Sequence, residues 1–424
     1  MPPRYLSFRC SLPWLILLLQ ALILIRSLLS LPALGSTYHL PLSGFPGVDH
    51  IYQPSSSYPE FQDVNHIVIF GFGFFLMVLR RYGFSSTAFN FLLVVLGVQC
   101  SVLVGDLLTE LVFLSFFSCS LAKAMVGTTA VVISTGAVLG KANPGQLIVM
   151  TLVEIIIFNV SRYINWRFLQ VPESLTLMHV HLFGAYFGLA VTSRFPEPPP
   201  GLDKHRSTPK SDLLSMLGTV FVWVFWPSFN STLAEFQREA KLNTYLALAV
   251  SAVAAFMLSA LTSKDGKFRM AHIHSAVLAG GVTISYTAHR IHYPWIAMIL
   301  GLLGSGITVL GSHCLQRCFN PALKLQDTSG VHFTFGLPAV LGAVAAVVLR
   351  VVEEGTETQW NDLSSLGYLI FVEVGAFCQT ISIALITGLI TGLILNIKLL
   401  KAVHVSKYFD DQFYWEVSFK MVSH

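Results

Sequence analysis

Long runs of apolar residues, separated by short polar stretches, follow one another along almost the whole chain of 424 residues. A helix needs about 20 mostly apolar residues to cross the hydrocarbon core of a bilayer. The pattern therefore predicts an all-α polytopic membrane protein with about twelve transmembrane helices. Their expected positions are 12–33, 62–80, 86–105, 115–139, 145–164, 175–193, 212–230, 243–262, 270–288, 294–314, 329–350 and 365–397.

The composition excludes most other classes of protein. Hydrophobic residues make up 54% of the chain and charged residues 11%, whereas a soluble domain carries about a quarter charged residues. We therefore expect a short N-terminus (1–11), one transmembrane domain (12–397) and a C-terminal tail (398–424). The net charge of +4 is scattered among loops, which argues against a nucleic-acid partner. With no zinc-type spacing, cofactor motif or nucleophile–base arrangement, we expect no metal, no cofactor and no enzyme activity.

The positive charges indicate the orientation. The two termini and the loops on their side of the predicted helices hold eighteen Lys and Arg residues, and the loops on the other side hold six. Because Lys and Arg accumulate in cytoplasmic loops, we predict that both termini are cytoplasmic. The first apolar run is either a cleaved signal or a retained helix. We favour the helix, because the run exceeds the usual 7–15 residues of a signal.

Two groups of residues bear on modification. Cys10, Cys314 and Cys318 lie beside predicted membrane ends on the cytoplasmic side, so they are candidates for palmitoylation. The two Asn-X-Ser/Thr sequons, at Asn159 and Asn230, fall in or at the edge of predicted helices. We therefore predict a protein without N-linked sugar.

Similar segments recur in the two halves of the chain. Residues 136–140 in the fourth predicted helix resemble 275–281 in the ninth, and 181–184 in the sixth resemble 335–338 in the eleventh. Each pair is five helices apart, and an odd number of helices inverts the second copy. Inverted five-plus-five repeats are typical of transporters and channels.

Ionisable residues inside the predicted helices are the sharper functional signal. A charge at mid-bilayer costs roughly 2.5–3.5 kcal/mol on insertion scales, so these groups face a lumen or a bonding partner. For Glu154 and Glu373 we favour a hydrogen bond to a neighbouring helix. For His179, His181 and His332, beside Gly-rich segments, a satisfied core position and a place in a lumen remain equally open.

Six ordered motifs carry a resemblance to a known family. They are 80–86 (RRYGFSS), 136–141 (GAVLGK), 181–189 (HLFGAYFGL), 226–231 (WPSFNS), 274–282 (HSAVLAGGV) and 407–412 (KYFDDQ). With them the chain resembles the Rh family of the ammonium transporter superfamily, nearest to the non-glycosylated Rh blood-group polypeptides. The resemblance implies trimers with one narrow pore per subunit.

The resemblance also implies what lines that pore. Conducting members remove a proton from ammonium and pass ammonia between two facing imidazoles. His181 matches the first imidazole, but Phe335 stands where the second is expected, with His332 about one helical turn away. Of the two outer gate positions, Phe229 keeps the aromatic ring and Val126 does not.

The acidic residue that the family places eight positions before the pore histidine is Glu173 here, one methylene longer than the usual Asp. Because a benzyl group cannot accept a proton, Phe335 argues against efficient transport. Two functions remain open. We favour a subunit assembled with an Rh-associated glycoprotein-type protein, with transport absent or weak. The alternative is a functional ammonia, ammonium or carbon dioxide channel.

The resemblance further implies a plasma-membrane location and a C-terminal tail that docks to ankyrin, through 407–420, or to a neighbouring subunit. Aromatic and acidic residues alternate over 408–417, directly after the last predicted helix. Tyr and Trp are enriched at the lipid headgroups, so the tail could equally lie on the bilayer surface.

Overall fold

The computed structural model describes residues 12–35, 58–112, 121–199, 203–315, 326–357 and 363–416, and in this part of the chain the long elements are all helices. They are α1 (Leu12–Gly35), α2 (Tyr58–Asn65 continued by His66–Gly71 and Phe72–Phe75), α3 (Gly83–Val112), α4 (Leu121–Val138), α5 (Pro144–Leu169), α6 (Thr176–Thr192), α7 (Pro209–Ser231), α8 (Gln237–Thr262), α9 (Met270–Thr283), α10 (Pro294–Leu310), α11 (His332–Gly336 continued by Leu337–Glu357) and α12 (Leu363–Leu395).

Each of the twelve helices overlaps one predicted span, which confirms the all-α polytopic fold. Among the described residues, nine helices are long and apolar enough to cross a membrane. Helix α9 is shorter than the predicted 270–288, because the chain turns at 284–290.

Local sequence signals mark where two of the helices begin. Asn143 caps α5 and Thr208 caps α7, and each is followed by a proline at the first helical position.

The two halves of the chain pack alike. In the first half α3 contacts α4 and α5, and α4 contacts α6; in the second half α8 contacts α9 and α10, and α9 contacts α11. Helix α2 joins the halves by packing on α7. The five-helix repeat read from the sequence is therefore present in the packing, with α1 and α12 outside it.

Matching glycines allow matching close contacts in the two halves. A Cβ atom on Gly184 of α6 would lie 2.5 Å from the Ala130 carbonyl oxygen of α4. A Cβ atom on Gly342 of α11 would lie 2.2 Å from the Thr283 carbonyl oxygen of α9. Only a residue without a side chain lets these backbones approach, as is common between helices in membranes.

The two buried carboxyl groups bond to neighbouring helices, as we predicted. Glu154 on α5 accepts a short hydrogen bond from Ser134 of α4. Glu373 on α12 accepts bonds from Tyr286 at 3.3 Å, and from Arg350 at 3.3 Å. Both groups therefore hold helices together.

Residues 401–416 fold back onto one end of the helix bundle, which we call the tail face. Tyr408 and Phe409 are buried there, and the Phe409 amide donates to the Gly140 carbonyl at 2.9 Å. From the sequence, the tail could lie on the lipid headgroups or bind another protein. The structure instead packs the start of the tail against loops of the same chain, because those loops offer unpaired backbone groups.

Candidate functional site

The pore positions of α6 and α11 face each other in the centre of the bundle. The rings of His181 and Phe335 lie parallel, at an interplanar angle of 13°, with centroids 5.9 Å apart. The side chain of Phe335 leaves the last part of the π-helical segment His332–Gly336, whose wider turn redirects it. The repeat therefore brings together the two positions that the sequence singled out.

A column of stacked rings extends from this pair in both directions. Towards α7, Trp226 stacks on His181 at 5.5 Å and Phe229 lies 5.7 Å from it. Towards α2, Phe72 stacks on Phe335 at 5.7 Å. We call these five residues the ring column; each is at most 1% exposed. Phe229 thus lies against the predicted pore histidine.

On the α2 side of the ring column, one more phenylalanine connects it to helix α9. Phe75 meets Phe335 edge-on at 6.0 Å, and it stacks on His274 of α9 at 3.9 Å. The His274 ring nitrogen Nε2 hydrogen-bonds the Phe75 carbonyl oxygen at 3.0 Å. Five helices, α2, α6, α7, α9 and α11, therefore close the centre of the bundle with packed rings.

The polar atoms within the ring column have no protein partner. Both ring nitrogens of His181 and the indole nitrogen of Trp226 are buried without a hydrogen bond among the described residues. A buried polar group left unpaired costs about 1–3 kcal/mol. The ring column therefore offers at most these few sites to a polar molecule between apolar walls.

His332 lies outside the ring column, at a cavity of about 640 Å³. Its ring meets Tyr186 edge-on at 6.1 Å. His274 also borders this cavity, as does His205, whose ring lies 4.9 Å from Phe409 of the tail. The cavity therefore opens at the tail face, and His332 lines it without entering the ring column.

Charged groups hold the loop before α11 beside this cavity. Asp327 accepts hydrogen bonds from the amides of Val331 and His332, at 2.9 and 2.7 Å, and burial raises the pKa of its carboxyl group above the usual range. Lys141 donates to Thr192 at 3.0 Å and to the Gln326 carbonyl at 3.1 Å. Burial lowers the pKa of Lys141 to about 8.

Glu173 lies at the end of the bundle opposite the tail face. It accepts from Lys123 at 3.0 Å and from Arg162 at 3.2 Å, so it is paired with two cations just before α6 begins. Val126 is fully buried on α4, in the same hydrophobic core as Phe229 and Phe335. Their roles in a pore stay predictions.

His179 occupies a different place from His181. Its ring nitrogen Nδ1 hydrogen-bonds Asn165 at 3.1 Å, and its ring meets Phe377 of α12 edge-on at 6.1 Å. Two residues apart on a helix, the two imidazoles point about 200° apart. Only His181 reaches the ring column.

The tail is fastened by a carboxylate at the start of a transmembrane helix. Asp411 accepts hydrogen bonds from the amides of Phe84 and Ser85, at 2.8 and 2.9 Å, in the first turn of α3. The Trp415 indole donates to the Ser85 hydroxyl at 2.9 Å. A helix N-terminus favours a negative charge, and no feature of the tail sequence identifies this partner.

The palmitoylation candidates can be located only in part. Cys10 and Cys318 lie outside the described residues, as do residues 417–420 of the expected ankyrin segment. Cys314 belongs to the short segment Gly311–Leu315 that follows α10. The two sequon residues, Asn159 and Asn230, are buried inside α5 and α7; that they carry no sugar stays a prediction.

The sequence missed three rings of the site. Phe72 and Phe75 lie in a run where every residue is apolar or glycine, so nothing marks them as inward-facing. Trp226 is part of the WPSFNS motif, which could have suggested it.

Comparison with known proteins places the chain in a wider group. A family model described as the Ammonium Transporter Family matches residues 52–411. An RH-like protein of Macaca mulatta is 40% identical over 419 residues, 97% of this chain and 96% of that protein. The blood group Rh(CE) polypeptide of Homo sapiens is 41% identical over 371 residues, 85% of this chain and 87% of that protein.

Solved structures with the same fold exist. The structure of Rh50 from Nitrosomonas europaea, described with a mechanism of conduction by the Rhesus family of channels, superposes with a TM-score of 0.71 at 27% identity. The superposition covers 85% of this chain and 91% of the Rh50 chain. A sensor Amt protein superposes with a TM-score of 0.69 at 17% identity, covering 85% and 98%, which shows the fold alone.

Proposed function

The chain belongs to the Ammonium Transporter Family, and we propose that it acts as an Rh blood-group-polypeptide-like subunit of a membrane complex, with ammonium transport absent or weak. The observation that carries this proposal is the packing of His181 directly against Phe335. Its Rh-like relatives at about 40% identity support the same assignment.

The physical argument concerns what an ammonium ion would meet. The ion must lose its water before entering a narrow passage, and a bare cation between apolar walls is costly. A proton acceptor on each side of the passage would take up and return the proton. Here His181 supplies one such group, whereas Phe335 supplies none and fills the space between α6 and α11 with a ring.

We further propose that the protein assembles as a trimer with Rh-associated glycoprotein-type subunits in the plasma membrane, with both termini in the cytoplasm. The tail face would then be the cytoplasmic side. Because 408–411 are buried against the bundle, we assign the ankyrin contact to the remaining residues of the expected segment 407–420, among which Glu416 is exposed.

A functional channel is the second candidate. The unpaired nitrogens of His181 and Trp226 favour it, because they can bind one neutral polar molecule inside the ring column. Neutral ammonia or carbon dioxide carries no charge to desolvate, so one histidine would suffice if the rings could move apart.

Uptake of radiolabelled methylammonium by proteoliposomes tests the two candidates. We expect the native chain alone to give uptake close to that of empty vesicles, and Phe335→His to raise it severalfold by restoring the second imidazole. His181→Ala should change little in the native background. Phe335→Leu is the matched control, because it removes the ring without adding a proton acceptor.

Each outcome separates the candidates. If Phe335→Leu raises uptake as much as Phe335→His, the phenylalanine only blocks the passage and the proton argument fails. Strong native uptake that His181→Ala alone abolishes would establish the channel and remove the subunit proposal. All variants are compared at equal reconstituted amounts.

A further inference from the structure

A small cavity lies on the far side of α6 from the ring column, near the end opposite the tail face. We call it the side cavity. It has a volume of about 20 Å³, and Asn165, Val171, Glu173 and His179 are among the residues that line it. A cavity of this size holds one water-sized molecule.

The hydrogen bonds around the side cavity decide which atoms carry protons. The amide nitrogen of Asn165 bonds to Thr380 Oγ1 at 3.2 Å and to His179 Nδ1 at 3.1 Å. The Thr380 hydroxyl donates its own proton to the Ala376 carbonyl at 2.8 Å, so it accepts from Asn165. His179 Nδ1 is therefore an acceptor, and the neutral ring carries its proton on Nε2.

Two complementary polar groups at the side cavity remain without a hydrogen-bond partner. His179 Nε2 is a donor and the Asn165 side-chain oxygen is an acceptor, and neither has a partner among the described residues. The two residues are 3% and 2% exposed, so bulk water does not satisfy them. Each unpaired group costs about 1–3 kcal/mol, which a single bridging molecule would remove.

We propose that the side cavity binds one small neutral molecule that both donates and accepts a hydrogen bond, namely water or ammonia. The molecule accepts from His179 Nε2 and donates to the Asn165 oxygen. An ammonium ion is excluded, because it has no lone pair to accept the histidine proton. The proposal does not depend on whether the ring column conducts.

Two measurements on the full chain test the site itself. A cryo-EM map that resolves ordered water should show one density peak between His179 and Asn165. Val171→Leu adds a methylene group beside the side cavity. If the cavity binds a bridging molecule, this variant expels it, strands two polar groups and lowers Tm; filling an empty cavity would raise Tm. Val220→Leu, at an exposed position on α7, measures the general effect of the substitution.

Whether the bound molecule is ammonia or water is tested by measuring Tm at alkaline pH, where much of the ammonium is deprotonated to ammonia. A higher Tm in ammonium sulfate than in sodium sulfate, seen for the native chain but not for Val171→Leu, identifies ammonia. Equal values in both salts, with the density peak present, identify water. A map without density in the side cavity together with a raised Tm for Val171→Leu would overturn the proposal.

Discussion

Replacing Asp411 by alanine should release the C-terminal tail from the tail face. The Asp411 carboxylate accepts the amides of Phe84 and Ser85, and its own amide donates to the Arg81 carbonyl at 2.8 Å. The first amides of a helix have no partner within the helix. The tail therefore supplies, from more than three hundred residues away, the cap that α3 lacks in its own sequence.

The size of the effect follows from these two bonds. A hydrogen bond to a charged group contributes about 1.5–3 kcal/mol, and loss of an aspartate cap costs about 0.5–2 kcal/mol. Ser85 is fully buried, so its amide would lose its partner without gaining water, whereas Phe84 is largely exposed. We expect about 2–4 kcal/mol for the pair, an about 30- to 700-fold shift towards the released tail.

Hydrogen–deuterium exchange read by mass spectrometry measures this shift. In Asp411→Ala, amides of 405–416 and of the first turn of α3 should exchange faster, while those of α6 and α9 should not change. Asp411→Asn keeps one acceptor oxygen, so its exchange rates should lie between those of the native chain and those of Asp411→Ala. Gln412→Ala alters the adjacent residue but leaves the cap intact, so it is the matched control.

Unchanged exchange of 405–416 in Asp411→Ala would refute this account. The burial of Tyr408 and Phe409 alone would then hold the tail in place. Equal exchange in the Ala and Asn variants would contradict the assignment of the effect to two separate hydrogen bonds.

Two further predictions concern the bundle itself. Because burial lowers the pKa of Lys141 to about 8 from its ordinary 10.5, the unfolded chain binds more protons between these values, and Tm should rise with pH across that window. Lys141→Met should remove most of this slope. Gly342→Ala should lower Tm, because the added Cβ atom meets the Thr283 carbonyl at 2.2 Å. Gly306→Ala, with no neighbour within 4 Å, should not lower Tm, because alanine favours a helix interior more than glycine does.

The sequence predicts both the twelve helices found among the described residues and which loops share a side. Both depend on local composition, because lipid requires an apolar stretch of fixed length and Lys and Arg mark one side. In the structure, loops assigned to one side do meet: the Arg80 amide donates to the Arg206 carbonyl, and Lys204 pairs with Asp410. The pairing of His181 with Phe335 was predictable from the repeat and the family resemblance.

Which rings fill the centre and where the tail lies follow from tertiary packing and not from local sequence. In a membrane helix nearly every residue is apolar, so periodicity does not separate Phe72 or Phe75, which face inward, from rings that face lipid. The π-helical segment His332–Gly336 that redirects Phe335 leaves no sequence signal either. The aromatic and acidic residues of the tail suit lipid headgroups or a protein surface equally. The unpaired amides at the start of α3 decide between them, and they come together with Asp411 only in the folded chain.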